Sequence, residues 1–128
     1  MSLILIVEDN EKNMKLVRDI LQAKGYETME AVTAEEGIDL ALARVPDLVL
    51  MDIQLPGMNG MEALKVLRSK EATAKVPVVA ITASVMTQDR QQIMDTGFDG
   101  FIEKPINLKE FLATVQAAVK TSVKPAGA

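Results

Sequence analysis

Five short apolar runs recur along the chain, and a stretch with helical periodicity follows each of them. Three of the runs are nearly continuous Leu, Ile, Val and Met, without the polar alternation of a strand that has one face in water. Uninterrupted strands of this kind are typical of a parallel sheet covered by helices on both faces. The predicted strands are residues 3–7, 26–32, 47–51, 76–81 and 99–102.

Helical segments fill the gaps between the predicted strands. Thr33, Asn59 and Asn107 stand where helix N-caps are expected, and Gly25 lies where the first helix should end. Five strand and helix pairs with right-handed crossovers predict a single doubly wound α/β domain, (βα)5, with a five-stranded parallel sheet. The more alternating second strand should lie near an edge of the sheet.

The domain is expected to span residues 1–121, with a flexible tail over residues 122–128. The predicted last helix carries an apolar stripe of Leu108, Phe111, Leu112, Val115 and Val119. The predicted fourth helix, residues 86–95, is polar nearly all round. It is either a solvated helix or an element with little packing energy opposing its movement.

The composition excludes several kinds of chemistry. The 128 residues include no cysteine and no histidine, which rules out thiol chemistry, a Ser-His-Asp triad and histidine-ligated metals on this chain. A net charge of −4 without basic clusters argues against direct binding of nucleic acid. The sequence shows no apolar run long enough for a membrane span and no export signal, so a cytoplasmic protein is expected.

Polar side chains stand at the ends of four predicted strands. Glu8 and Asp9 follow the first strand, Asp52 follows the third, Thr82 comes directly after the fourth, and Lys104 lies just beyond the fifth. The carboxyl ends of parallel strands meet at one edge of the sheet, where ligands bind in such folds. We therefore expect all five side chains at one site.

Each of these residues alone has an ordinary structural explanation. Asp9 or Asn10 could cap the first helix, Thr82 could bond to backbone, and Lys104 could be solvated. Together, three carboxylates repel one another, because two like charges about 4 Å apart cost about 4 kcal/mol at an effective dielectric constant of about 20. A divalent cation and the ammonium of Lys104 would offset them. Oxygen ligands suit Mg²⁺, which leaves room for a phosphate oxygen, so a phosphoryl site is predicted.

Four segments of the sequence resemble the receiver domain of two-component response regulators. They are LIVEDN, DLVLMDIQLPGMNGMEAL, VPVVAITA and GFIEKPI, in the family's order and at matching separations across nearly the whole chain. The segment IVEDNEKNMKL is particularly similar to single-domain regulators of the DivK type and to receivers appended to hybrid histidine kinases. The resemblance implies a CheY-like, flavodoxin-like fold.

The resemblance also implies a role for each acidic residue. Asp52 would be the phosphoacceptor. Asp9, Asp52 and the backbone carbonyl of Gln54 would bind Mg²⁺, and Glu8 would act through a metal-bound water. Glutamate at residue 8 in place of aspartate is a common variant of the family pattern.

The remaining roles implied by the resemblance concern the phosphoryl oxygens and the switch. Thr82 and Lys104 would each bind a phosphoryl oxygen, and the small Ala83 would leave the acceptor open to the donor. Phe101 occupies the position of the aromatic switch residue. The Lys104–Pro105 peptide bond would be cis.

The implied function is Mg²⁺-dependent transfer of a phosphoryl group to Asp52 from a phosphohistidine on a sensor histidine kinase or a histidine phosphotransfer protein. Phosphorylation would switch the surface of the fourth helix, fifth strand and fifth helix for a downstream protein target. The chain would be a phosphoacceptor signalling domain with self-phosphorylation and slow self-dephosphorylation, and not an enzyme. It is expected to be a stand-alone regulator or a receiver excised from a hybrid kinase.

Two other function classes fit the sequence less well. A Mg²⁺-dependent phosphohydrolase of the haloacid dehalogenase type also uses an aspartate nucleophile, but it carries a second aspartate where this chain has Gln54. A nucleotide or flavin module would need a loop rich in Gly, Ser or Thr after the first strand, where this chain has EDNEKN.

Overall fold

A computed structural model of the chain describes residues 2–55, 57–82, 95–104 and 106–122, with the side chains of the last helix described as far as residue 119. The strands are β1 (Leu3–Val7), β2 (Glu27–Ala31), β3 (Leu48–Asp52), β4 (Val78–Thr82) and β5 (Gly100–Glu103). All pairings are parallel, and the order in the sheet is β2-β1-β3-β4-β5. The predicted parallel sheet is confirmed, and β2 lies at an edge as expected.

Helices cover both faces of the sheet. Those given in full by the described residues are α1 (Glu11–Ala23), α2 (Ala34–Ala43), α3 (Gly60–Ser69) and α4 (Leu108–Ser122). The helix α4 is the one that the sequence predicts as the fifth, and it ends one residue past the expected domain boundary. Residues 86–94 of the predicted fourth helix and most of the predicted tail lie outside the described residues.

The helices begin at the predicted capping residues. The side chains of Thr33, Asn59 and Asn107 each accept a hydrogen bond from the backbone N–H three residues on. Asn10 does the same for α1. Gly25, directly after the C-cap of α1, has a φ of 88°, a conformation that glycine adopts without strain. These local signals explain why the helix starts could be read from the sequence.

Two apolar layers hold the helices on the sheet. Every residue of β1, β3 and β4 is buried, and alternate side chains point to opposite faces. Leu5, Val49 and Leu64 belong to the layer under α2 and α3, whereas Leu50 and Phe111 belong to the layer under α1 and α4. Each layer needs the other, because a continuous apolar strand must be covered on both sides.

The stripe predicted for the last helix needs one correction. Leu108 is 56% exposed and Leu112 is half-buried, and the buried residues of α4 are Phe111, Val115, Ala118 and Val119. Leu108 is the first residue of the helix, and the buried residues begin one turn later at Phe111. Within the described part of the chain, every helix is too short or too polar to cross a bilayer.

Candidate functional site

Three acidic side chains meet at the C-terminal edge of the sheet. Glu8 and Asp9 follow β1, and Asp52 is the last residue of β3. One carboxylate oxygen of each residue lies within 4.8 Å of the corresponding oxygens of the other two. Glu8 and Asp52 are buried, whereas Asp9 is exposed. The site therefore has two buried acids, Glu8 and Asp52, and one solvent-exposed acid, Asp9.

The sheet topology explains why these acids are neighbours. Strand β1 lies between β2 and β3, so the strand order reverses beside it, and the register pairs Val7 with Met51. Glu8 and Asp52, the next residues along the two chains, therefore lie side by side at the edge of the sheet. Ligand sites of doubly wound sheets lie at such reversals.

Asn10, and not Asp9, caps helix α1. Its side-chain oxygen accepts hydrogen bonds from the backbone N–H groups of Lys12 and Asn13, at 3.0 and 3.1 Å. Of the two residues that the sequence offered as the cap, Asp9 and Asn10, the structure shows Asn10. The carboxylate of Asp9 is left available to a ligand.

Lys104 bridges the two buried acids. Its Nζ donates a hydrogen bond to Asp52 Oδ2 at 3.0 Å and lies 2.9 Å from Glu8 Oε1. The second contact is an ion pair without hydrogen-bond geometry, so Glu8 Oε1 is a buried oxygen that accepts no hydrogen bond from the described residues. The other carboxylate oxygen of Glu8 accepts from the backbone N–H of Asn10 at 3.3 Å.

The pKa of Glu8 is raised even though Lys104 lies beside it. Burial, helped by the neighbouring Asp52, raises the pKa of Glu8 to about 7, although Lys104 acts in the opposite direction. Burial lowers the pKa of Lys104, but Glu8 and Asp52 outweigh it and raise that pKa above its ordinary value. With Glu8, Asp9 and Asp52 all ionised, the single positive charge of Lys104 would leave a net negative charge at this edge of the sheet.

The donor set fits a divalent cation. Carboxylate oxygens from three residues are close enough to share a cation, and Glu8 also carries a buried oxygen, Oε1, that accepts no hydrogen bond from the described residues. Hard cations such as Mg²⁺ take oxygen ligands of this kind. A cation here would supply the charge that Lys104 leaves uncompensated.

The turn after β3 folds back onto the carboxylate of Asp52. The backbone N–H of Gln54 donates to Asp52 Oδ1 at 2.9 Å, so both oxygens of this carboxylate have a donor. Next in this loop, Gly57 has a φ of 76°, which makes the tight turn possible. The backbone of Gln54 therefore lies beside the acid, as a role in the site requires.

Gly60 is a residue of this site that the sequence pattern did not single out. A Cβ atom on Gly60 would lie 2.7 Å from the carbonyl oxygen of Asp52 and 2.9 Å from the Cα of Ile53. The N-terminus of α3 thus packs directly on the backbone that carries Asp52. The sequence feature that could have identified Gly60 is a glycine directly after the N-cap Asn59, in the helix that follows the strand of Asp52.

Thr82 and Lys104 are held together at the ends of β4 and β5. The residue before Thr82, Ile81, pairs with Asp52, and the backbone N–H of Lys104 donates to the carbonyl of Thr82 at 2.8 Å. Thr82 is buried. The structure thereby brings Thr82 to the same edge as the acids. Ala83 and Pro105, and with Pro105 the expected cis bond, lie outside the described residues.

Phe101 lies in β5, where it pairs with Ala80. Its ring is half-buried and packs against the apolar layer under α2 and α3. It is three residues from Lys104 along the chain. The side chain is therefore neither fixed deep in the core nor fully in solvent.

Comparisons of sequence and of fold with known proteins both find response regulators and their receiver domains. The family model of the response regulator receiver domain matches residues 4–116. The polar-differentiation response regulator DivK of Brucella ovis is 45% identical over 114 residues, which cover 89% of this chain and 93% of that protein.

Two solved receiver structures are similar to this chain over nearly their whole length. The chemotaxis protein CheY4 of Vibrio cholerae superposes with a TM-score of 0.87 at 27% identity, covering 92% of this chain and 98% of that one. The receiver domain of a sensor histidine kinase from Pseudomonas aeruginosa PAO1 has a TM-score of 0.86 at 28% identity, covering 93% and 98%. That receiver holds a magnesium ion coordinated in its active-site cleft.

The resemblance that the four motifs indicated is confirmed, and so is the CheY-like fold. The matched residues include both strands that carry the acids and the strands that carry Thr82 and Lys104. This chain belongs to the family of response regulator receiver domains and is a DivK-like signalling domain of two-component systems.

Proposed function

We propose that Asp52 accepts a phosphoryl group from a phosphohistidine on a sensor histidine kinase or a histidine phosphotransfer protein. The observation that carries the proposal is the buried Asp52 carboxylate, paired with Lys104 and crowded by Glu8 and Asp9. The 128 residues include no histidine, so they do not supply the phosphohistidine themselves. We propose the cytoplasm as the place of this exchange, as the sequence predicts.

In the proposed step, a carboxylate oxygen of Asp52 attacks the phosphorus atom. The bond between phosphorus and the imidazole nitrogen breaks, the electron pair goes to the leaving imidazole, and Asp52 becomes an acyl phosphate. Phosphoryl transfer needs little covalent chemistry from the protein beyond an in-line nucleophile and charge on the equatorial oxygens. Thr82 donates its hydroxyl to one phosphoryl oxygen, and Lys104 gives its charge to another.

We propose that Asp9, Asp52 and the backbone carbonyl of Gln54 hold Mg²⁺, with Glu8 acting through a bound water. The cation supplies positive charge for the oxygens of the phosphoryl group. The protein's own part is to hold the acids in place, and a bound cation would favour the ionised form of Glu8, which burial disfavours. Lys104 is released from its contact with Glu8 and turns toward the phosphoryl group.

Labelling with a small acyl-phosphate donor tests the proposed function. With Mg²⁺ present, the chain should gain one phosphoryl group that is stable in acid and labile in base, and a chelator should prevent the gain. The label should be lost slowly, because Gln54 is not an acid that could act as a strong general base toward water. Continuous release of phosphate from the donor, without a labelled chain, would contradict the proposal.

Mg²⁺ should stabilise the folded protein, and Asp9 should be needed for this effect. A ligand that binds only the native state at one hundred times its dissociation constant adds about 2.7 kcal/mol to the free energy of unfolding. We expect a rise of the thermal midpoint in the wild type and none in Asp9→Ala. Asp39→Ala, an exposed acid on α2, is the control and should respond like the wild type. An equal rise in Asp9→Ala would exclude Asp9 as a ligand.

We also propose that phosphorylation changes the surface formed by residues 86–95, β5 and α4, and that a downstream protein binds this surface. Phe101 supports the proposal, because its ring is only half-buried. In the proposed switch the ring turns inward when Thr82 moves toward the phosphoryl oxygen. Phosphorylation would then shift an existing equilibrium, and each 1.4 kcal/mol of preference changes the population ratio about tenfold.

Backbone amide chemical shifts measure this change directly. On phosphorylation we expect shift changes throughout residues 84–106, including Phe101. The same treatment of Asp52→Asn is the control. Changes confined to the surroundings of Asp52 would show that the surface does not switch.

A further inference from the structure

The segment that leads into β5 lies along one side of helix α3. The Thr96 hydroxyl donates to Met61 Sδ at 3.7 Å, and Arg68 Nη2 donates to Asp99 Oδ2 at 2.9 Å. Met61 and Arg68 are two helical turns apart, so they lie on the same side of α3. Helix α3 therefore supports residues 96–99 from its N-terminal end, near Asp52, to its C-terminal end.

Asp99 fixes the start of β5 against β4. Its backbone N–H donates to the carbonyl of Val78 at 2.8 Å, and its Oδ2 accepts the backbone N–H of Val78, also at 2.8 Å. The carboxylate thus takes the place of the strand carbonyl that would otherwise accept from Val78. A neighbouring residue in this position could not do the same, because neither Phe98 nor Gly100 has an acceptor in its side chain.

Arg68 connects Asp99 to the loop between α3 and β4. Its Nη1 donates to the carbonyl of Val76 at 2.6 Å and to that of Ala74 at 3.2 Å. The side chains of Arg68 and Asp99 are 28% and 41% exposed, and an ion pair this exposed contributes little by itself. The planar guanidinium of Arg68 donates to backbone carbonyls and to a carboxylate at the same time. A lysine could not reproduce this geometry.

The register of β5 against β4, fixed at the N-terminal end of β5, determines where Lys104 lies at its C-terminal end. The pairing runs from Val79 with Gly100 to Thr82 with Glu103, and Lys104 follows directly. In the described sheet β5 is an edge strand of four residues. A slip by one residue would turn every side chain of β5 to the opposite face and remove Lys104 from the acids.

We propose that Arg68 and Asp99 are positioning residues for phosphoryl transfer, which fix the start of β5 so that Lys104 stands over Asp52. The proposal rests on the proposed function, in which Lys104 binds the phosphoryl group. Arg68 and Asp99 themselves do not touch the reacting atoms. They act through the β4–β5 register.

Amide hydrogen exchange in the metal-free protein tests the register without any phosphorylation. In Arg68→Met, the amide of Lys104, which bonds to the carbonyl of Thr82, should exchange about tenfold faster relative to the amides of β1 and β3. Arg44→Met is the matched control, because it removes a 2.7 Å ion pair to Glu27 at the opposite edge of the sheet. It should leave Lys104 unchanged.

Two outcomes of the exchange experiment would overturn the proposal. Equal acceleration at Lys104 and in β1 and β3 would mean that Arg68 only adds global stability. No acceleration at all would mean that β5 keeps its register without the pair. Asp99→Asn, which retains an acceptor for Val78, should give an intermediate effect.

Labelling separates this proposal from the function on which it rests. Arg68→Met should accept phosphate from the acyl-phosphate donor more slowly than Arg44→Met, although its thermal response to Mg²⁺ stays at the wild-type level, because the acids are on β1 and β3. Arg68→Lys should not restore the rate. Equal labelling rates of both methionine variants would refute the positioning role. An unlabelled wild type would refute the proposed function and, with it, a role of the pair in phosphoryl transfer, whereas the effect of the pair on the β4–β5 register is decided separately by the hydrogen exchange.

Discussion

Replacing Asp52 with asparagine should reduce phosphorylation of the chain by an acyl-phosphate donor to background. The neutral amide has no carboxylate oxygen with which to attack phosphorus. Its shape is nearly the same, and its side-chain oxygen can still accept the hydrogen bond from the backbone N–H of Gln54. The loss should therefore be chemical and not a failure to fold. The mass of the intact chain, before and after treatment, measures it.

The fold of this variant provides the first control. Asparagine at residue 52 removes one of three mutually repelling carboxylates, so the thermal midpoint should be no lower than that of the wild type. Asp39→Asn changes an exposed acid on α2 and should be labelled normally. A folded Asp52→Asn that is labelled as fully as Asp39→Asn would move the acceptor to another residue.

Gly60→Ala should destabilise the protein strongly and disturb the site with it. The added Cβ would meet the carbonyl oxygen of Asp52 at 2.7 Å and the Cα of Ile53 at 2.9 Å, both of them backbone atoms that cannot rotate away. Helix α3 and the end of β3 would have to separate. Overpacking of this kind costs about 3 kcal/mol, which denaturant unfolding can measure.

Gly100→Ala is the matched control for this substitution. Its Cβ would lie 3.8 Å from a methyl of Val79 and 3.9 Å from one of Thr114, which are ordinary contacts. Its stability should stay close to that of the wild type. If Gly60→Ala were as stable as Gly100→Ala, the contact between α3 and the Asp52 backbone would not be rigid, and Gly60 would have no part in the site.

The fold could be predicted because its signals are local. Uninterrupted apolar runs identify strands buried on both faces, and Asn59 and Thr33 identify helix starts by chemistry within three residues. The strand ends were less well predicted. The third run was expected to stop at residue 51, but β3 includes Asp52, because its pairing with Ile81 depends on a strand that is distant in sequence.

For the site as well, local sequence patterns identified the residues, whereas their contacts depend on strands that are distant in sequence. The sequence identifies Asp52, Glu8 and Lys104 as residues at strand ends. It does not reveal that Lys104 contacts both acids, since this depends on the register of β5. The contacts of Arg68 and Asp99 were not predicted either. Residue 99 was placed inside the fifth strand, whereas it precedes β5 and bonds through its side chain.

Locating the phosphoryl group on the wild-type chain tests the acceptor role of Asp52 most directly, because a variant can lose its label for indirect reasons. Borohydride converts an acyl phosphate of aspartate into the corresponding alcohol, and peptide mass spectrometry then identifies the altered residue. We expect the reduced residue at position 52 in every labelled chain. Reduction at Glu8 or Asp9, or a phosphate ester on Thr82, would contradict the proposed function.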